Sequence, residues 1–256
     1  MTKIDEYRTK LRSLTEWDVF LLAESGLPGP RGNLELAQVV AEEGNPALFW
    51  RYLEYSADTA PVNSPYEFLA FCGAVGLGRL LAEGNRDVLP ALRRCASDPR
   101  WRMREAVAMA LQRLGDADMG SLLVVAKEWS QGTPLEQRAA AAGICEPRLL
   151  RQSQHALAAL EILDAITNSI LALQNRHTED FLALRKGLGY CWSVAAAALP
   201  AAGKTFMEKW LTHPDPDIQW IMRENLQKNR LVRMDSDWVA SWRARAAGQK
   251  PSKNHE

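Results

Sequence analysis

In the stretch Asp98-Pro-Arg-Trp-Arg-Met-Arg-Glu-Ala-Val-Ala-Met-Ala-Leu111, the side chains Met103, Val107, Ala110 and Leu111, continued by Leu114, fall at offsets 0, 4, 7, 8 and 11. That spacing places them on one stripe of a helix with 3.6 residues per turn. The Asp98-Pro99 pair ahead of the stripe reads as a helix start. A short polar side chain at the N-cap accepts a bond from an otherwise unpaired amide, and proline at the first helical position gives up a donor that would have no partner there.

The same punctuation recurs at Asn45-Pro46, Ser64-Pro65, Thr133-Pro134 and Asp215-Pro216. Ser64-Pro-Tyr-Glu67 and Thr133-Pro-Leu-Glu136 place a glutamate three residues after the cap, the pattern of a reciprocal capping box. From Thr178 onward, Phe181, Leu184, Leu188, Trp192 and Ala195 form a second long stripe behind Glu179 and Asp180. Between His155 and Gln174 the apolar set Leu157, Leu160, Leu163, Ile166, Ile170 and Leu173 covers a wide arc, as in a helix packed on two sides. No segment of comparable length alternates with period two. Breaks fall at 26–32, 57–63, 84–85, 115–116, 132 and 213–216, and most are short, which predicts antiparallel neighbouring helices. The expected class is all-α, stacked antiparallel helical hairpins in a single domain over residues 1–248, with 249–256 a polar tail expected to be disordered.

Composition excludes several classes of function. Lysine plus arginine equals aspartate plus glutamate, 31 against 31, so no global field draws the chain to nucleic acid or an anionic membrane. The longest uncharged stretch, 187–203, is Ala-rich, carries Pro200 and is shorter than the ~20 strongly apolar residues of a spanning helix; it predicts a buried helix and no membrane partner. The first residues alternate charges where a signal peptide needs an apolar run, so a cytoplasmic location is expected. Cys72, Cys95, Cys145 and Cys191 lie far apart with no C-x-x-C and read as core thiols.

Two segments share a pattern: 98–111 and His213-Pro-Asp-Pro-Asp-Ile-Gln-Trp-Ile-Met-Arg-Glu-Asn-Leu226. In each, an apolar residue follows a proline by four positions and a leucine closes the stripe eight further on. The first resembles the second-helix signature of HEAT repeats, with Met103-Arg104 as the aliphatic-arginine pair and Ala110-Leu111 as the closing Ala-Leu. The second departs from it at Gln219, Trp220 and Asn225, and a weaker unit at 133–145 fits through Arg138 and the run 139–142. Arg104 and Arg138 are 34 residues apart, and Gln219 lies 81 further on, close to two repeat lengths near 40. The resemblance implies an α-solenoid, a right-handed HEAT-like superhelix whose concave surface holds a partner.

No catalytic constellation emerges. Gly203-Lys204-Thr205 lacks the earlier glycine of a phosphate loop, since Ala198 stands there. Gly73, Gly76 and Gly78 read as close helix packing. His155, His177, His213 and His255 include no pair at one-turn spacing, so neither metal nor cofactor is expected. The sequence assigns no enzymatic activity, and the reading leans to a non-enzymatic scaffold for a protein or peptide.

Charge is uneven although it cancels. Residues 86–113 carry seven arginines against Asp87, Asp98 and Glu105, and 219–250 carry seven basic residues against Glu224, Asp235 and Asp237. If both stretches face one groove, the alternative is a nucleic-acid-binding protein related in fold to the HEAT-like DNA alkylation-repair glycosylases, whose catalytic motif this sequence does not match, so that their activity is not carried over. The candidate binding residues on either reading are Trp101, Arg104, Arg138, Trp220 and Arg223.

Overall fold

A computed structural model of the chain describes residues 2–248, and the expected tail 249–256 lies outside the described residues. Among the described residues the chain is helical, with no strand. The helices group into two compact units, Met1–Leu122 and Leu123–Glu256, where the sequence reading expects one domain.

The first unit contains α1 (Lys3–Ser13), α2 (Asp18–Glu24), α3 (Leu34–Glu43), α4 (Pro46–Leu53), α5 (Pro65–Ala82), α6 (Leu89–Ala96) and α7 (Trp101–Ala117). After α8 (Met119–Trp129), the second contains α9 (Pro134–Ile144), α10 (Ser153–Ser169), α11 (Glu179–Ala198), α12 (Pro200–Leu211), α13 (Pro216–Leu226), α14 (Asn229–Met234) and α15 (Ser236–Gly248). Each unit is organised round one long helix. In the first, α5 packs against α2, α3, α4, α6 and α7; in the second, α11 packs against α9, α10, α12, α13 and α14. A helix covered by so many neighbours must be apolar on almost every side. That is why α5 is buried from Glu67 through Gly78 without a break.

The close approaches depend on small residues. A Cβ at Gly76 would stand 2.3 Å from the Phe49 ring of α4, and one at Gly78 would stand 2.4 Å from Ala110 Cα of α7. The glycine triplet therefore sets the seating of α5 on both neighbours, the close helix packing that the sequence predicts. In the same way Gly203-Lys204-Thr205 lies inside α12, with Gly203 against Ala196 of α11.

Most of the helix starts expected from the sequence follow their caps. Asn45 Oδ1 accepts from Leu48 N at 2.9 Å, Thr178 Oγ1 from Phe181 N at 3.2 Å, and Asp215 Oδ1 from Ile218 N at 3.1 Å. Thr133 and Glu136 form the full capping box. Two starts differ from expectation. Asp98 turns its carboxylate onto Arg100, accepting from its backbone N at 2.8 Å and from its side chain, so α7 begins two residues later, at Trp101. Ser64 caps Glu67 N, but the Glu67 carboxylate accepts from Asn63 N at 2.7 Å, one residue before the cap, and from Arg102.

Further differences are local. Gly115 and Asp116 do not break the chain, because α7 continues to Ala117. The uncharged stretch 187–203 is two helices divided at Leu199, with Pro200 opening α12. Leu157 is exposed, while Leu160, Leu163, Ile166 and Ile170 are buried as the arc predicts. Among the described residues one helical stretch, Ser153–Ala172, has the length and apolarity to cross a membrane, with a mean hydropathy of 1.2. Its Asp164 accepts from Lys209 Nζ at 2.8 Å and from Trp210 Nε1 at 2.8 Å, polar contacts that suit a helix packed in a bundle. The cysteines are free thiols; Cys72, Cys145 and Cys191 are buried, and burial pushes the Cys95 thiol up to about 11.

Candidate functional site

Trp101, the first residue of α7, is 45% exposed beside a cavity of about 330 Å³ within the first unit. Leu27, Leu34, Phe68, Phe71, Ala108 and Met109 give this cavity an apolar floor and walls, and Arg31, Glu105 and Gln112 lie among its polar lining. Phe68 and Phe71, one turn apart on α5, stack with ring centroids 6.4 Å apart. The stripe that commits α7 to the core explains the placement. Met103, Val107 and Ala110 face inward, which leaves Trp101, Glu105 and Met109 along the edge where α7 meets α5.

The floor is braced by two buried arginines. Arg102 is 6% exposed; it donates to Glu67 Oε2 at 3.1 Å, to Gly29 O at 2.7 Å and to Asn63 Oδ1 at 3.3 Å, and its guanidinium lies 4.4 Å from the Trp101 ring centroid. Arg100, 3% exposed, donates to the carbonyls of Tyr55, Ser56 and Ala60 and to Asp98. A planar guanidinium with five donors can hold several carbonyls at once. The two loops at 26–33 and 54–64 are thus tied to the start of α7, and the indole of Trp101 is held over the cavity rim by cation–π stacking.

The other candidates take different positions. Arg104 donates to Asp98 O at 2.7 Å and Pro99 O at 3.0 Å, closing the turn ahead of its own helix. In the second unit the stem of Arg138 lies against α11, where a Cβ on Gly187 would stand 3.3 Å from its Cγ. Trp220 packs on Gly189, and Arg185 stacks 4.1 Å above its ring while pairing with Asp217 at 3.0 Å. Arg223 is exposed on α13, 3.5 Å from Gln219 Oε1 of its own helix. Of the five, Trp101 alone lines a cavity described here; Arg104, Arg138 and Trp220 are engaged in packing or bracing.

The first basic stretch is drawn inward in part. Besides Arg100 and Arg102, Arg113 is half-buried 3.9 Å from Glu42, and burial lowers its pKa. Counting charges along 86–113 missed this because the partners, Glu67, Gly29 and Glu42, lie 35 to 73 residues away. The one local signal was Glu67 itself, an acid at the third position of the helix that becomes all core. Among the described residues no group of His, Cys, Asp and Glu is placed to hold a metal ion. No protein-family model, curated protein or solved structure matches this chain.

Proposed function

We propose that the chain is a HEAT-like interaction scaffold, working in the cytoplasm, that binds a protein segment through an apolar anchor side chain seated beside Trp101. The observation that supports this reading is the half-exposed indole at the edge of an aromatic and aliphatic cavity of about 330 Å³. Aromatic anchors next to preformed apolar pockets carry most of the energy in peptide recognition. The two buried arginines hold the rim rigid, which lowers the ordering cost of binding. The polar lining includes Arg31, Glu105 and Gln112, so charges of both signs are available beside the anchor. The nucleic-acid alternative has less support in this unit, because Arg100 and Arg102 spend their donors on internal carbonyls and carboxylates.

Display selection of random peptides on the full chain tests the reading. Enriched peptides should share a large apolar residue, and Trp101→Ala should weaken them by about 30-fold, the loss of a hot spot worth roughly 2 kcal/mol. Peptides that bind wild type and Trp101→Ala equally would place recognition elsewhere.

A further inference from the structure

The second unit holds a depression of about 850 Å³ whose charge is of one sign. Arg151, from the segment before α10, lines it together with Lys228, Arg230 and Arg233 at the start of and along α14. The remaining wall includes Pro147, Leu150, Tyr190, Val194 and Ala197. No carboxylate is among the lining residues.

The state of each cation matters more than the count. Arg151 and Arg233 are exposed, and among the described residues neither has an ion pair or a hydrogen-bond partner. Lys228 has Glu224 on its own chain turn at 3.8 Å, a loose contact, and Glu146 beside Pro147 is taken by Arg148 at 3.0 Å. Arg230 is oriented by a neutral group: its guanidinium lies 4.8 Å from the Tyr190 ring centroid and donates to the phenolic oxygen. That arrangement fixes the fork of Arg230 without neutralising it. Four positive groups round one concave wall concentrate a positive potential, which salt screens because the wall is open to solvent.

We infer that this depression binds a small phosphorylated ligand that also carries a flat or apolar part, with nucleotides the chemical class that fits both halves. The phosphates would meet Arg151, Arg230 and Arg233, whose planar forks match phosphate oxygens in pairs. A base would lie against Pro147, Tyr190 and Ala197, the lining residues with apolar surface to offer. The volume is within the ~300–1,000 Å³ typical of small-molecule sites. The four cations gather at one depression, which favours a single nucleotide over a polymer, since a polymer needs a track of cations along its backbone. The inference does not rest on the Trp101 groove, which lies in the other unit.

Thermal unfolding and calorimetric titration of the full chain, at about 20 mM salt to limit screening, carry the test with ADP, pyrophosphate, adenosine and an oligothymidylate as probes. ADP should raise the melting temperature, pyrophosphate should do so less, adenosine should not, and the ADP effect should shrink as salt rises. Arg151→Glu and Arg233→Glu should each weaken ADP by about 10- to 100-fold, the loss of one charged hydrogen-bonding partner. Because both side chains are exposed and unpaired, the variants should keep the wild-type helix signal; Arg233→Gln serves as the milder change if either does not. Silence towards both ADP and pyrophosphate would overturn the inference. So would an unchanged ADP response in the double variant, or binding of the oligothymidylate without ADP, which would assign the depression to a single strand.

Discussion

Two pairs of arginines, one pair in each unit, are used in opposite ways. In the first, Arg100 and Arg102 are buried, paired with Asp98 and Glu67, and aimed at backbone carbonyls of two loops. In the second, Arg151 and Arg233 stand exposed at a depression lined by no carboxylate. The tryptophans also differ: Trp50 and Trp101 are 41% and 45% exposed in the first unit, while Trp192 and Trp210 are fully buried in the second. The stretches 86–113 and 219–250 have the same net charge, yet the first supplies a structural brace through Arg100 and Arg102, while Arg230 and Arg233 of the second line a surface depression together with Arg151. Net charge along a segment does not report surface potential; the position of the opposing carboxylates does.

The largest expected consequence falls on the brace. Arg102→Ala leaves the Glu67 carboxylate, fully buried, without its cation and should cost about 3–5 kcal/mol in urea unfolding. The matching change in the second unit, Arg233→Ala, should stay within about 0.5 kcal/mol. Equal effects at the two sites would remove the distinction between brace and surface.

Crowding at the central helices comes next. Gly78→Ala puts a methyl 2.4 Å from the Ala110 backbone and should cost about 1–3 kcal/mol through displacement of α7. Gly84→Ala changes a glycine with φ +98° and no atom within 4 Å of the added Cβ, so its penalty should come from backbone strain alone. Differential calorimetry on both variants separates packing from conformation.

Caps should give smaller changes. Thr133→Ala dismantles the full box in the second unit and should cost about 0.5–2 kcal/mol, with Ser64→Ala at the lower end because Glu67 does not return a bond to the Ser64 amide. Urea midpoints on the two variants check the order.

Acid should weaken both units through their paired carboxylates. The Arg51 guanidinium, with Tyr52 Oη, holds Asp18 below the usual carboxylate range. In the second unit burial opposes ionisation of Asp215, but Arg176 and the amides of Asp217 and Ile218 outweigh it and hold that carboxyl low. Since both folded pKa values are depressed, each contribution is complete above the unfolded value of about 3.9 and is lost as pH falls through the folded one. Melting temperatures should therefore drop below about pH 4, and Asp215→Asn should flatten that slope.

Much of the fold was legible because its signals are local. Asn45, Thr133, Thr178 and Asp215 cap helices as their neighbours in sequence dictate, and the stripes at 103–114 and 181–195 are buried as their spacing requires. Trp101 and Trp220 were singled out because each lies on the second helix of a HEAT-like unit; the structure sets Trp101 beside a cavity and packs Trp220 on Gly189. What lay beyond reach depends on distant partners. Arg102 is buried only because Glu67 and Gly29 meet it, and the start of α7 moved to Trp101 because Asp98 bonds Arg100 instead of capping. Arg151 and Tyr190 reach one depression from different segments, and no linear pattern joins them.

Photo-crosslinking in the cell of origin bears most directly on the scaffold role. A benzophenone side chain placed at Met109, in the wall of the Trp101 cavity, should capture a discrete protein partner through an apolar segment, and Trp101→Ala in the same chain should abolish the product. The same probe at Val19, 83% exposed on α2 and outside the cavity, should not capture it. Equal capture from Val19 and Met109, or capture that survives Trp101→Ala, would show that this groove is not where the partner binds.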